Sequence, residues 1–365
     1  MKKFLRTIPI HSFLIGLYVI LFIYIRNTNK TSFSSVYRSI LVELAVTVLV
    51  FAISYLLLRS ARKAGIFSTL LLVGLFIYGI LYNKLEALYY NGYWPFSHIH
   101  RFLLIFYFLI YVLLFVFFFR SKRPHYNLNY ILNSFVLILF LMNLPLFFLS
   151  LKNETTTTQS NKFLAINSPG YKNIVNADNS FPDVYYIILD GYANEKILKD
   201  FYLDKSPLLY QYLRKRGFYI ADSSRANYPF TALSLSSSLN LGYLDSSISN
   251  TAPTTLIRDN TVNHIFKKAN YKLINIESGF AITEQFTLVD KTISAHLLNE
   301  FETRLVDLTI LRLDDVLGFT HYKRLKNVLN GLESFLQEKG PKFCFIHIVS
   351  PHPPYVVDSA GKRMV

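Results

Sequence analysis

Up to Leu151 the chain is dominated by five long apolar runs, approximately Pro9–Ile25, Ile40–Leu58, Ile66–Tyr82, Phe102–Phe119 and Leu128–Leu149. A helix needs about 20 such residues to cross the hydrocarbon core of a bilayer. In lipid the backbone must satisfy its own hydrogen bonds, which leaves helices as the form for runs of this kind. The runs therefore predict a five-helix transmembrane region over residues 1–151. The first run lacks a small-residue cleavage site and is followed by others like it, so it reads as an anchor rather than a signal peptide.

The basic residues of the connecting segments set an expected orientation. Lys2, Lys3 and Arg6 precede the first run, Arg59, Arg62 and Lys63 fill the second link, and Arg120, Lys122 and Arg123 the fourth. The links between hold Arg26, Lys30 and Arg38, and then Lys84 and Arg101 with Glu86. This bias predicts a multi-pass cell-membrane protein with a cytoplasmic N-terminus. Five crossings then place everything after Leu151 outside the cytoplasm. The formal net charge of +15 has the same origin, because many of the basic residues flank apolar runs, and it does not point to a nucleic-acid partner. Within the runs, Glu43 is the one carboxylate. An intramembrane acid is a candidate transport group, but near the start of its run it is expected to reach the headgroups. Tyr93, Trp94, His98 and His100 read as an interfacial belt.

From Lys152 to about Ser180 the chain is polar, with Thr155–Thr158 and Pro169-Gly170, and reads as an irregular linker over residues 152–180. The texture then changes. Val184–Leu189 (VYYIIL), ending at Asp190-Gly191, has the look of a buried parallel strand. Phe218–Ala221, Lys272–Ile276 and Lys342–Val349 read as further strands. Glu195–Lys215 (broken near Pro207), Ala232–Leu239, Val262–Ala269 and His321–Glu338 read as helices. Strands alternating with helices predict an α/β domain on a largely parallel sheet over residues 181–365. In such sheets the ligand site lies at the carboxyl ends of the strands. Cys344, alone in the chain, reads as a buried strand thiol.

Three segments belong to that edge: ILDGY with Asp190, NYPFTALSLSSSLN with Asn227 and Thr231, and HIVSPHPPY with His347 and His352. Each has an ordinary reading. An aspartate at a strand tip caps a turn, a threonine before a helical run is an N-cap, an asparagine forms a turn, and a histidine between prolines sits in a surface loop. Their order nevertheless resembles the alkaline phosphatase and sulfatase superfamily. It is closest in kind to the membrane-anchored branch with lipoteichoic acid synthases and phosphoethanolamine transferases. The resemblance covers roughly Pro182–Asp358. It implies an alkaline-phosphatase-like fold in which Asp190 holds a divalent metal (zinc, manganese or magnesium). Thr231, opening a helix, is then both nucleophile and metal contact, and His352 a catalytic histidine, with His347 binding substrate. Asn227, on the loop before the helix, is added as a substrate-binding group on chemical grounds, to share in neutralising the transferred group.

The chemistry suits these residue types. A threonine hydroxyl needs its pKa lowered to attack at neutral pH, and a bound cation does that directly. Phosphoryl transfer then asks mainly for positioning and charge neutralisation. The Cys/Ser-x-Pro-x-Arg segment of sulfate-ester hydrolases does not occur here, so phosphate esters are favoured over sulfate. The resemblance thus implies transfer or hydrolysis outside the cytoplasm, with a lipid-linked donor from the bilayer and a cell-envelope acceptor. The family's further Asp-His metal pair is not found before Val365. The α/β domain is therefore expected to be incomplete, and residues 1–365 alone to be inactive. Two other classes stay open: a catalytically inactive module of the same fold, and a transporter with an accessory soluble domain.

Overall fold

The computed structural model describes residues 2–28, 31–166, 181–204, 206–244, 252–294, 296–312, 321–353, 355–358 and 361–364. In chain order these form α1 (Lys2–Thr7), α2 (His11–Arg26), α3 (Tyr37–Leu58), α4 (Ala61–Tyr90), α5 (Ile99–Arg120) and α6 (Tyr126–Ile166). There follow β1 (Val184–Leu189), α7 (Glu195–Asp200), α8 (Leu208–Lys215), α9 (Thr231–Leu239), α10 (Ala252–Arg258) and α11 (Thr261–Lys268). The last elements are β2 (Lys272–Ile276), β3 (Lys291–Ile293), α12 (Glu300–Asp307), α13 (His321–Gly331) and β4 (Lys342–Ile348). They divide into two compact units. One is Met1–Thr156 with Leu298–Gly318, and the other is Thr157–Leu297 with Phe319–Val365.

In the first unit α3, α4, α5 and the Tyr126–Leu151 part of α6 are long and apolar enough to cross a membrane. This is a membrane protein. Where five full-length spans were expected, the described residues give four, because α2 has only 16 residues. At 1.5 Å per residue it rises about 24 Å, short of a hydrocarbon core of about 30 Å. Pro9, which has no backbone N–H to offer, separates it from α1. At the other end of the unit's sequence, α6 does not stop where an irregular linker was expected but runs on to Ile166. No glycine or proline occurs between Leu146 and Ile166 to end it. Residues 167–180 of that expected linker lie outside the described residues.

A buried polar staple fixes the N-terminus. The His11 ring meets Thr69 Oγ1 at 2.6 Å and Asn129 Oδ1 at 3.2 Å, and its backbone N–H donates to Asn133 Oδ1 at 2.8 Å. Both asparagine amides donate in turn to the carbonyls of Leu5 and Ile8. The basic links gather at this same end. Arg62 donates to the Pro124 carbonyl at 2.7 Å and lies 4.0 Å over the Tyr126 ring, while Lys63 donates to the Ser121 carbonyl at 2.5 Å. At the opposite end α12 docks on the bundle, a contact the sequence did not suggest. Its cap is reciprocal, Asn299 accepting from Glu302 N–H and Glu302 from Asn299 N–H. Glu302 also accepts from Nε and Nη2 of Arg38, while Phe301 and Leu305 pack with Ile20, Tyr24 and Val36. Of the expected interfacial belt, His100 Nδ1 is engaged by the Tyr78 hydroxyl at 2.8 Å.

The second unit is built on a parallel sheet in the order β1-β4-β2-β3. All seven residues of β4 are buried, as befits an apolar strand with a neighbour on each side and a layer on each face. One face carries Leu273, Phe343 and Phe345 against Leu235 and Leu239 of α9 and Ile257 of α10. The other carries Ile274, Cys344 and Ile346 against Val328 of α13 and Phe335. Burial of Cys344 pushes its thiol up to about 12, so it stays an unreactive core thiol. Phe218–Ala221, expected as a strand, is not one. Phe218 and Tyr219 are exposed there and join no ladder, and the fourth strand of the sheet, at its edge, is instead the short β3.

Candidate functional site

Side chains alternate along a strand, so every second residue shares a face. The row Val184, Tyr186, Ile188 on β1 and the row Phe343, Phe345 on β4 pack into the apolar cluster that includes α9. The next members of the two rows are Asp190 and His347. The ladder holds this far, because Ile188 lies opposite His347 and the Asp190 N–H donates to the Ile348 carbonyl at 2.9 Å. The face that carries α9 thus ends in an aspartate and a histidine at the carboxyl edge.

His347 is fully buried and its Nε2 lies 3.4 Å from Oδ2 of Asp190, whose side chain is one-fifth exposed. That is an ion-pair distance, and Nε2 makes no hydrogen bond. The other ring nitrogen meets Thr283 Oγ1 at 3.1 Å, while the Thr283 hydroxyl donates to the Phe280 carbonyl at 3.1 Å. With its proton so committed, the hydroxyl accepts from Nδ1–H, and the lone pair of a neutral His347 then sits on Nε2. Two acceptors face each other across 3.4 Å. A proton or a cation between them resolves the repulsion. With a proton on Nε2, the His347 imidazole donates toward Asp190 and, against the opposing effect of burial and aided by the charges of His347 and His352, holds its carboxyl below the usual carboxylate range.

His352 itself is exposed, with Nδ1 2.7 Å from the Pro353 carbonyl. Its backbone backs onto the turn after β1: Gly191 has φ +83°, and a Cβ there would come within 3.2 Å of His352 N and Cα. Thr231 is the first residue of α9, and its hydroxyl has no hydrogen-bond partner among the described residues. Asn227 is occupied with the first turn of that helix, accepting from Ser234 Oγ at 2.6 Å. The structure therefore brings Asp190, His347 and His352 together. No hydrogen bond or ion pair among the described residues joins Thr231 to Asp190. Among the described residues there is also no group of three or more His, Cys, Asp or Glu side chains spaced to hold a metal ion.

The edge continues beyond what the motifs indicated. Glu277 follows β2 and His296 follows β3. His296 Nε2 lies 2.8 Å from Glu284 Oε1 and 3.9 Å from Glu277 Oε2, with His296 and Glu284 both more than nine-tenths buried. Glu284 Oε1 also accepts the Gly279 N–H. Gly279, at φ +87°, leaves room for the Arg324 side chain, whose Cδ would lie 2.1 Å from any Cβ there. Burial pushes the His296 imidazole down, but the hydrogen bond to Glu284 and the charges of Glu284 and Glu277 reverse this and raise it. The one available sequence signal was the acid at the tip of β2, directly before Ser278-Gly279. No family model, curated protein or solved structure matches the chain.

Proposed function

We propose that the protein is a membrane-anchored transferase or hydrolase of phosphate esters that works at the carboxyl edge of its sheet with Thr231 as nucleophile. The observation that carries this reading is the facing pair of Asp190 carboxylate and orphaned His347 Nε2. A buried acceptor left bare beside a carboxylate is costly unless something fills the gap. The pair fits a divalent cation, as an oxygen and an imidazole nitrogen are both ordinary donors to zinc or manganese. When bound, such an ion supplies Lewis acidity and lowers the pKa of a nearby hydroxyl.

The chain's own groups do the rest. Thr231 Oγ forms a bond to phosphorus as the ester oxygen departs, and its proton passes to solvent. His352, exposed on the loop against Gly191, protonates the leaving oxygen. Water or an acceptor hydroxyl then releases the phospho group from threonine. The sequence resemblance to the alkaline phosphatase and sulfatase superfamily supports the same roles. The basic end of the helical unit supports an orientation with that end cytoplasmic and the sheet unit outside, provided that the 16-residue α2 serves as a fifth crossing by thinning the bilayer around it. A lipid-linked donor and a cell-envelope acceptor follow from that side of the membrane.

The test is metal-dependent turnover of an aryl phosphodiester by the full-length protein in lipid nanodiscs. Thr231→Ala should lower kcat by at least about a thousandfold, with unchanged thermal unfolding. Turnover retained by Thr231→Ala rules out this nucleophile, and a wild-type protein without turnover favours an inactive module.

A further inference from the structure

Glu43 of α3 was expected at the headgroups, but it is buried, only 6% exposed. Its carboxyl is wedged against α2 at Gly16, where a Cβ would come within 1.7 Å of Oε1. That oxygen accepts from Thr47 Oγ1 at 2.6 Å, whereas Oε2 has no hydrogen-bond partner. One turn earlier, Ser39 is also more than nine-tenths buried, and its Oγ has no partner either. Both residues line a cavity of about 220 Å³ within the helical unit. The remaining wall is almost wholly apolar, including Ile20, Val46, Leu72, Phe76, Leu305 and Val306. Arg38, about half exposed, also lines it together with its partner Glu302.

Orphaned oxygens are expensive in an apolar surrounding. Here two of them point to the same occupant. A carboxyl oxygen and a hydroxyl call for a donor, and the walls call for hydrocarbon. We propose that this cavity binds the aliphatic chain of a membrane lipid headed by a free hydroxyl or amine, with that group donating to Glu43 Oε2 and exchanging a hydrogen bond with Ser39. Such a ligand reaches the site from the bilayer in which α3 and α4 lie. The site is separate from the sheet edge and stands or falls apart from the role of Thr231.

The experiment uses the full chain in phosphatidylcholine nanodiscs with a photoactivatable long-chain alcohol, and with the methyl ether of the same alcohol. The ether keeps the chain and loses the donor. Labelling should map to α3 and α4 around the cavity, with the alcohol favoured over the ether by about tenfold. Glu43→Leu should abolish that preference. Val46→Trp, which fills the cavity, should abolish labelling, while Val48→Trp on the exposed face of the same helix should not. Leu75→Trp fills the cavity from α4 should Val46→Trp fail to fold. Equal labelling by alcohol and ether, or labelling that survives both filling variants in folded protein, overturns the proposal.

Discussion

In the helical unit the buried His11 has both ring nitrogens and its backbone N–H engaged, whereas in the sheet unit the equally buried His347 keeps Nε2 bare beside a carboxylate. The first arrangement is what a structural staple looks like, since every polar group removed from water has a partner. The second leaves free energy unclaimed that a proton, cation or substrate can recover. His296 Nδ1 and Asn275 Oδ1, also near the carboxyl edge, are bare in the same way. Within the helical unit, Glu43 and Ser39, which line a cavity, depart from the staple pattern, as does Trp94 Nε1, which lines none of it.

Breaking the staple should have the largest effect. Asn133→Leu orphans the His11 N–H and removes two donors from the carbonyls of Leu5 and Ile8. It should cost about 3 kcal/mol of unfolding free energy in detergent-solubilised protein, with the kcat of the folded fraction unchanged. His347→Phe should do the reverse. An apolar ring of similar shape should alter stability by less than about 1 kcal/mol while turnover falls about a hundredfold. Equal loss of stability in the two variants would remove the distinction between them.

Gly279→Ala sits between these cases. The left-handed φ and the Arg324 side chain both oppose a Cβ, and chemical denaturation should register a loss of about 1.5 kcal/mol. The smallest effect is in pH dependence. The His296 imidazole is raised above its ordinary value of 6.5 in the folded state. Its contribution to stability is therefore fully present below that value and is lost as the pH rises through the folded one. Asp190 runs the other way. Its depressed carboxyl contributes above the ordinary 3.8, and the contribution is lost as the pH falls through the lower folded value. His296→Phe should flatten the alkaline limb of an unfolding-midpoint profile and leave the acid limb in place.

Much of the sheet could be read from residue order. KFCFIHI is apolar enough on both faces to announce β4 as an interior strand, and the acid and histidine at the tips of β1 and β4 follow from alternation. VYYIIL also reads as a buried strand, but among the described residues β1 is an edge of the sheet, with Tyr185 and Ile187 exposed on its other face. β3 could not be read this way, as three residues, Lys-Thr-Ile, carry no period. Phe218–Ala221 was misleading for the opposite reason: its aromatic residues suit a strand, but no neighbour pairs with it. The docking of α12 and the burial of Glu284 and His296 depend on contacts far apart in sequence, which local pattern does not encode. The first apolar run was legible as helix, but its length across the bilayer hung on where Pro9 and Asn27 bound it.

The central claim is that Thr231 takes up the phospho group at the edge formed by Asp190 and His347. Peptide mass spectrometry of full-length protein, acid-quenched during turnover of an aryl phosphodiester, tests it directly. A phospho adduct on the peptide containing Thr231, absent in Thr231→Ala and scarce in Asp190→Asn, is the result this account predicts. Turnover with the adduct on another residue, or with no adduct under conditions that trap an intermediate, would contradict it.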